Sequence, residues 1–141
     1  MPMTKIYLRE GSTPEHRLAI SEAIHKSLVD VLGIPDDDKY HIFHELKDGF
    51  LISAPVAFGL ERGPQAIFIQ SYFGARPVET LKELYSAMVT NLGQLANLET
   101  KDIYINVVES GSQNWWADGR RLDPKTGFDD RIAADKVPTG S

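Results

Sequence analysis

Between Thr4 and Arg9 the chain alternates polar and apolar residues (Thr4-Lys5-Ile6-Tyr7-Leu8-Arg9), the two-residue period of a half-buried strand. The period then changes. Ile20, Ile24, Leu28, Val31 and Leu32 fall at helical spacing and lay one apolar stripe along a helix. Pro14 suits the first helical position, where its missing N–H costs nothing, and Thr13 before it is a good N-cap. Gly33 and Pro35 end the helix. Tyr40-His41-Ile42-Phe43-His44 then reads as a second strand.

The same succession occurs again. Residues 66–73 read as a strand, and Pro77 takes the place of Pro14 as a first helical residue. Leu81, Leu84, Tyr85, Met88, Leu92 and Leu95 form the stripe of a helix that ends near Gly93 or Asn97, and 103–108 read as the returning strand. Gly11 and Gly74, ahead of the two helices, are 63 residues apart, and so are Tyr40 and Ile103. The chain is thus two β-α-β units, at about 2–46 and 66–109. A strand–helix–strand connection in one sheet makes its strands parallel, with a right-handed crossover. The expected fold is α/β (α+β): a tandem β-α-β domain over 1–128 with a four-stranded, mainly parallel sheet and both helices on one face. Residues 46–64, with Gly49, Pro55, Gly59 and Gly63, are expected to form a loop or short hairpin, and 129–141 a polar C-terminal tail. The second sheet face has no cover in this layout, so a homo-oligomer is expected.

Composition narrows the chemistry. A hydrophobic fraction of 42% with 25% charged residues is globular, and a net charge of −5 argues against nucleic acid or an anionic membrane as partner. No apolar run reaches the roughly 18 residues of a membrane span, and no signal peptide is apparent, so a cytoplasmic protein is expected. The absence of cysteine excludes thiolate nucleophiles and disulfides. His41 and His44 are three apart on a strand and point to opposite faces, so they do not chelate one metal. His16 and His25 read as exposed or flanking helix residues, and neither metal nor cofactor is expected.

The candidate chemistry begins at the second residue. Met1 is generally removed ahead of so small a residue, which makes Pro2 a terminal secondary amine, nucleophilic, basic and held rigid by its ring. An α-amino group titrates at about 7.7–8.0, close enough to neutrality for its surroundings to set its charge. The two units also differ at one informative place. Where the first has Thr13 in the N-cap slot, the second has Arg76, which has no acceptor to offer the helix. A guanidinium beside a helix start suits a carboxylate. Asp36-Asp37-Asp38 lies ahead of the returning strand, and one of the three carboxylates is a candidate to orient water or hold a protonated amine. Trp115-Trp116 is either a subunit contact or the wall of a small pocket.

With Pro2 opening a strand, the duplicated unit and Arg76 before the second helix, the chain resembles the tautomerase superfamily. Its nearer likeness is to the malonate semialdehyde decarboxylase branch and tautomerase family proteins of similar length. Glu10-Gly11, Val29-Asp30, Gly33-Ile34-Pro35, Asp38-Lys39-Tyr40, His44-Glu45, Gly59-Leu60-Glu61-Arg62, Val107-Val108-Glu109 and Asn114-Trp115 carry the resemblance in that order. It implies a cofactor-independent homotrimer whose amino-terminal proline is catalytic. Pro2 matches that proline, Asp38 the acidic residue of the branch, and Arg76 one arginine of the substrate-carboxylate site. The branch's arginine pair is not reproduced, because Ala75, Pro77 and Val78 supply no second member. Trp115-Trp116-Ala117-Asp118-Gly119 replaces the usual Trp-Ser-Phe-Gly, which alters the pocket wall.

The implied function is enol–keto tautomerisation of a small 2-oxo acid, with Pro2, Asp38 and Arg76 catalytic and Arg76, Trp115 and Trp116 binding the carboxylate substrate. A decarboxylase or hydratase of a 3-oxo acid is the alternative. A third possibility is a non-enzymatic trimeric binding protein, favoured if Met1 is retained.

Overall fold

The computed structural model describes residues 2–122 apart from 55, 58, 62 and 64. The expected tail at 129–141 lies outside the described residues. Strand β1 (Met3–Arg9), helix α1 (Pro14–Leu32) and strand β2 (His41–Leu46) form the first unit. A small hairpin, β3 (Val56–Ala57) with β4 (Leu60–Glu61), occupies the connection read as a loop or hairpin. The second unit is β5 (Ile67–Phe73), α2 (Val78–Ala96) and β6 (Ile103–Glu109). Beyond it the chain makes a single turn at Ser112–Asn114 and a hairpin of β7 (Trp116–Ala117) and β8 (Arg120–Arg121).

The sheet runs β2-β1-β5-β6. Within each unit the strands are parallel, as the crossover requires, but the units meet through an antiparallel β1–β5 pair, so the sheet is mixed. Ile6 pairs with Ile69, residues separated by the 63-residue repeat, so an approximate twofold axis passes through that pair. The start of β1 therefore lies beside the end of β5.

Alternation along the strands sorts the side chains. Thr4, Ile6 and Leu8 of β1 and Ile67, Ile69, Ser71 and Phe73 of β5 are buried towards the helices. They pack with Ile20, Ile24 and Leu28 of α1 and Leu84, Met88 and Leu92 of α2. Each such apolar side chain contributes roughly 1.5–3 kcal/mol when fully buried. Four polar side chains inside this core are paired: Thr4 Oγ1 and Ser71 Oγ are 2.9 Å apart, and Asn91 Nδ2 donates to Ser27 Oγ, which donates to Ala23 O. The opposite face presents Lys5, Tyr7, Phe68, Gln70 and Tyr72, all half-buried. The loop at 51–53 leans over part of it and leaves a hollow of about 460 Å³.

The helix ends separate the two units. In α1, Thr13 Oγ1 accepts the His16 N–H at 3.1 Å, and Gly33, at φ 70°, returns its N–H to Val29 O. In α2, Pro77 is itself the cap, extended at φ −58° and ψ 150° and with no side-chain cap bond. Pro77 is therefore not the first helical residue, and Arg76 lies one place outside the cap rather than in it. The cause is chemical: Arg76 has no acceptor for the exposed N–H groups, so nothing holds one more residue in the helix. At the far end α2 runs past Gly93 to Ala96, and Asn97 closes it in the left-handed conformation at φ 57°.

Candidate active site

Pro2 is buried at the head of β1, the central strand on the first unit's side. The register places it one step beyond the Met3–Tyr72 pair, level with Phe73. The chain leaving Phe73 carries Arg76, whose Nη1 donates to Gly74 O and Ala75 O at 3.0 and 3.1 Å. Its guanidinium carbon stands 5.7 Å from the centre of the Phe73 ring. Partial burial pulls the Arg76 pKa down from its ordinary value, but a guanidinium keeps its proton at neutral pH. On the other flank of β1, the Thr4 N–H donates to Tyr40 O at 2.9 Å, which draws the segment ahead of β2 against the start of β1. Asp38 lies two residues before Tyr40. Pro2, Asp38 and Arg76, from three distant stretches of sequence, thus share one end of the sheet.

Of the three consecutive acids, Asp36 and Asp37 are exposed and Asp38 is half-buried. Asp38 Oδ2 is buried and finds no hydrogen-bond partner among the described residues. Desolvation pushes the Asp38 pKa up, with Asp37 adding to it, while the amino-terminal charge and His25 pull the other way.

Trp115 follows the turn after β6, a segment tied to β5 by the Ser110 N–H bond to Phe73 O at 2.8 Å. Its ring is half-buried, with Nε1 enclosed and without a partner among the described residues. Trp116 is 70% exposed, so the two adjacent rings are not equivalent. His41 and His44 point to opposite faces as expected: His41 Nδ1 lies 2.7 Å from Ser21 Oγ of α1, and His44 stacks on Tyr7 at 4.7 Å. His25 departs from expectation. It is 8% exposed, because it lies three residues before Leu28 and seven before Leu32, on the helix face that packs inward. That spacing was the signal in the sequence. At the opposite end of the sheet a cavity of about 390 Å³ is lined by Gly11, Ser12, Thr13, Gln65 and Ala66 among others. The repeat relates Gln65 to Pro2 and Thr13 to Arg76.

A family model described as tautomerase enzyme matches residues 38–116, more than half of the chain, and a second of the same description matches 2–60. The chain belongs to the tautomerase family. Among curated relatives it is similar to the probable tautomerase YusQ of Bacillus subtilis (strain 168), at 23% identity over 82% of this chain and 91% of that protein. The tautomerase fold is also that of a malonate semialdehyde decarboxylase, with a TM-score of 0.75 at 21% identity over 84% of this chain and 91% of that one. A fused 4-OT wild-type symmetric trimer superimposes with a TM-score of 0.68 at 19% identity, covering 84% and 94% of the two chains.

Proposed function

We propose that this tautomerase-family protein converts a small 2-oxo acid between its enol and keto forms, with Pro2 as the base. The observation that carries this reading is the burial of Pro2 at the one sheet end that also receives Asp38 and Arg76. Removal of Met1 frees the Pro2 nitrogen. Burial disfavours its charged form, which leaves a neutral amine with a lone pair. That nitrogen takes the hydroxyl proton of the enol and returns it to carbon 3, as the oxygen's electrons close the carbonyl. Arg76 holds the carboxylate and offsets the charge that builds on the enolate oxygen. Asp38, the one acid of the three turned inward at this sheet end, orients the substrate beside Pro2. Trp115 and Trp116 flank the substrate.

A second reading, decarboxylation or hydration of a 3-oxo acid, draws on the presence of Asp38 at the same sheet end as Pro2. An ionised Asp38 would hold Pro2 as an ammonium and make it a general acid. The missing second arginine weighs against this reading and favours the tautomerase. The site is completed in a homotrimer that buries the face bearing Tyr7, Phe68 and Tyr72. The test is ketonisation of phenylenolpyruvate by protein whose intact mass establishes that Pro2 is terminal. Turnover dependent on that free nitrogen supports the reading, and equal turnover with Met1 retained refutes it.

A further inference from the structure

Helix α1 hands the chain to β2 through 33–40, and Asp38 sits near the end of this connection. Its own tie there is slight: the Asp38 N–H donates to Pro35 O at 3.0 Å. Two contacts from α1 bracket it. On one side, the His25 Nε2–H donates to Asp36 O at 2.7 Å. A carbonyl oxygen accepts only, so Nε2 carries a proton. Nδ1 is buried and finds no partner among the described residues, so that single bond directs the ring. On the other side, His41 at the head of β2 has Nδ1 2.7 Å from Ser21 Oγ. Ser21 and His25 are four apart and project from the same face of α1. Their contacts converge, since the His25 and His41 rings meet edge to face at 6.2 Å.

We propose that His25 and His41 are positioning residues, which pin the chain on both sides of Asp38 to α1 and so hold its carboxyl at the amino-terminal end of β1. This rests on the reading that Asp38 serves the reaction. Burying an imidazole with one nitrogen unsatisfied is costly, and an apolar residue like Leu28 or Leu32 on the same face fills such space without that cost. What a leucine cannot supply is the N–H directed at Asp36 O.

The test uses the processed full chain and phenylenolpyruvate, with His25→Leu, His25→Gln, Ser21→Ala, Asp38→Asn and the His25→Leu/Asp38→Asn double variant. Losing the pin lowers kcat about tenfold in His25→Leu, with KM within about twofold of wild type. His25→Gln keeps a donor N–H and recovers most of that loss, and Ser21→Ala shows a smaller loss of the same kind. In the Asp38→Asn background His25→Leu costs less than about twofold, because the group it positions is already gone. Amide exchange at Asp38 rises in His25→Leu, which reports the freed loop independently of turnover.

Equal losses from His25→Leu with and without Asp38 overturn the proposal while leaving the role of Asp38 intact. Full activity in His25→Leu does the same. Wild-type activity in Asp38→Asn instead overturns the reading of Asp38, and this proposal with it. If His25→Leu does not fold, Ser21→Ala decides: a kcat loss that vanishes in the Asp38→Asn background upholds the proposal, and any other result refutes it.

Discussion

Replacing Arg76 with Thr transplants into the second unit the residue that caps the first. From spacing alone the change is a gain, since a Thr N-cap contributes about 0.5–2 kcal/mol. The structure reverses the sign. The cap of α2 is at Pro77, so a hydroxyl at 76 has no helix N–H within its reach, whereas the guanidinium it replaces has partners. Arg76 makes two bonds from one nitrogen to Gly74 O and Ala75 O, and a face contact with Phe73 at 5.7 Å. A neutral-strength bond contributes about 0.5–1.5 kcal/mol and an exposed cation–π contact about 0.5–1. Solvent reaches the group, and the two carbonyls share one nitrogen, so the total loss is about 1–2 kcal/mol. That lowers the melting temperature by about 3–8 °C. Loss of the charge-assisted contact to the substrate carboxylate, about 1.5–3 kcal/mol, lowers kcat/KM by roughly ten- to a hundredfold. Calorimetry and phenylenolpyruvate kinetics on the same preparations separate the two effects. Arg76→Lys keeps the charge without the fork and falls between them. Added sulfate inhibits the wild type and has much less effect on Arg76→Thr. A rise in melting temperature refutes the placement of the cap, and unchanged kcat/KM refutes the substrate role.

Retention of Met1, verified by mass, abolishes ketonisation, whereas Pro2→Ala leaves a primary amine and reduces activity without eliminating it. Light scattering gives about three times the chain mass of 15.7 kDa, and Tyr7→Asp on the uncovered face shifts the population to smaller species. A stable wild-type monomer at micromolar concentration contradicts the trimer. His41 titrates at about 4 rather than the ordinary 6.5, chiefly because burial disfavours its charge, with Lys39 and His25 adding to the effect. Between those values the unfolded chain binds the proton and the folded one does not. Stability therefore falls as pH drops from 6.5 towards 4, by about 2–3 kcal/mol, offset in part by the opposite tendency of Asp38. Urea denaturation across this range shows a clearly shallower slope in His41→Gln, and an unchanged slope refutes the assignment.

The two β-α-β units, the helix stripes and the start of α1 were legible because each rests on local chemistry: periodicity, a Thr cap, a glycine stop. The antiparallel junction of β1 with β5 was not legible, since strand direction between units depends on how the connection at 46–64 folds back and no residue pattern encodes it. The displaced cap at Pro77 is a one-residue matter decided by the lack of an acceptor on Arg76. The burial of His25 is hard to see in the sequence because an imidazole amid charged neighbours, Glu22 and Lys26, looks like surface. Its alignment with Leu28 and Leu32 carried the contrary information. Which of Asp36, Asp37 and Asp38 turns inward depends on how tightly 33–40 is drawn to α1, a tertiary property beyond the reach of spacing.

The approximate twofold through Ile6 and Ile69 sets the stoichiometry of the molecule. Two like units in one sheet offer two like ends, but one chain has one amino terminus. At the end that answers to Pro2, the corresponding nitrogen belongs to Gln65, and it is a peptide N–H that donates to Asp102 Oδ1 at 3.3 Å. Covalent continuity has removed its basicity, and no side-chain substitution restores it. A chain of this kind holds at most one amine centre for every two units, and the second end is released from whatever selection maintains the first.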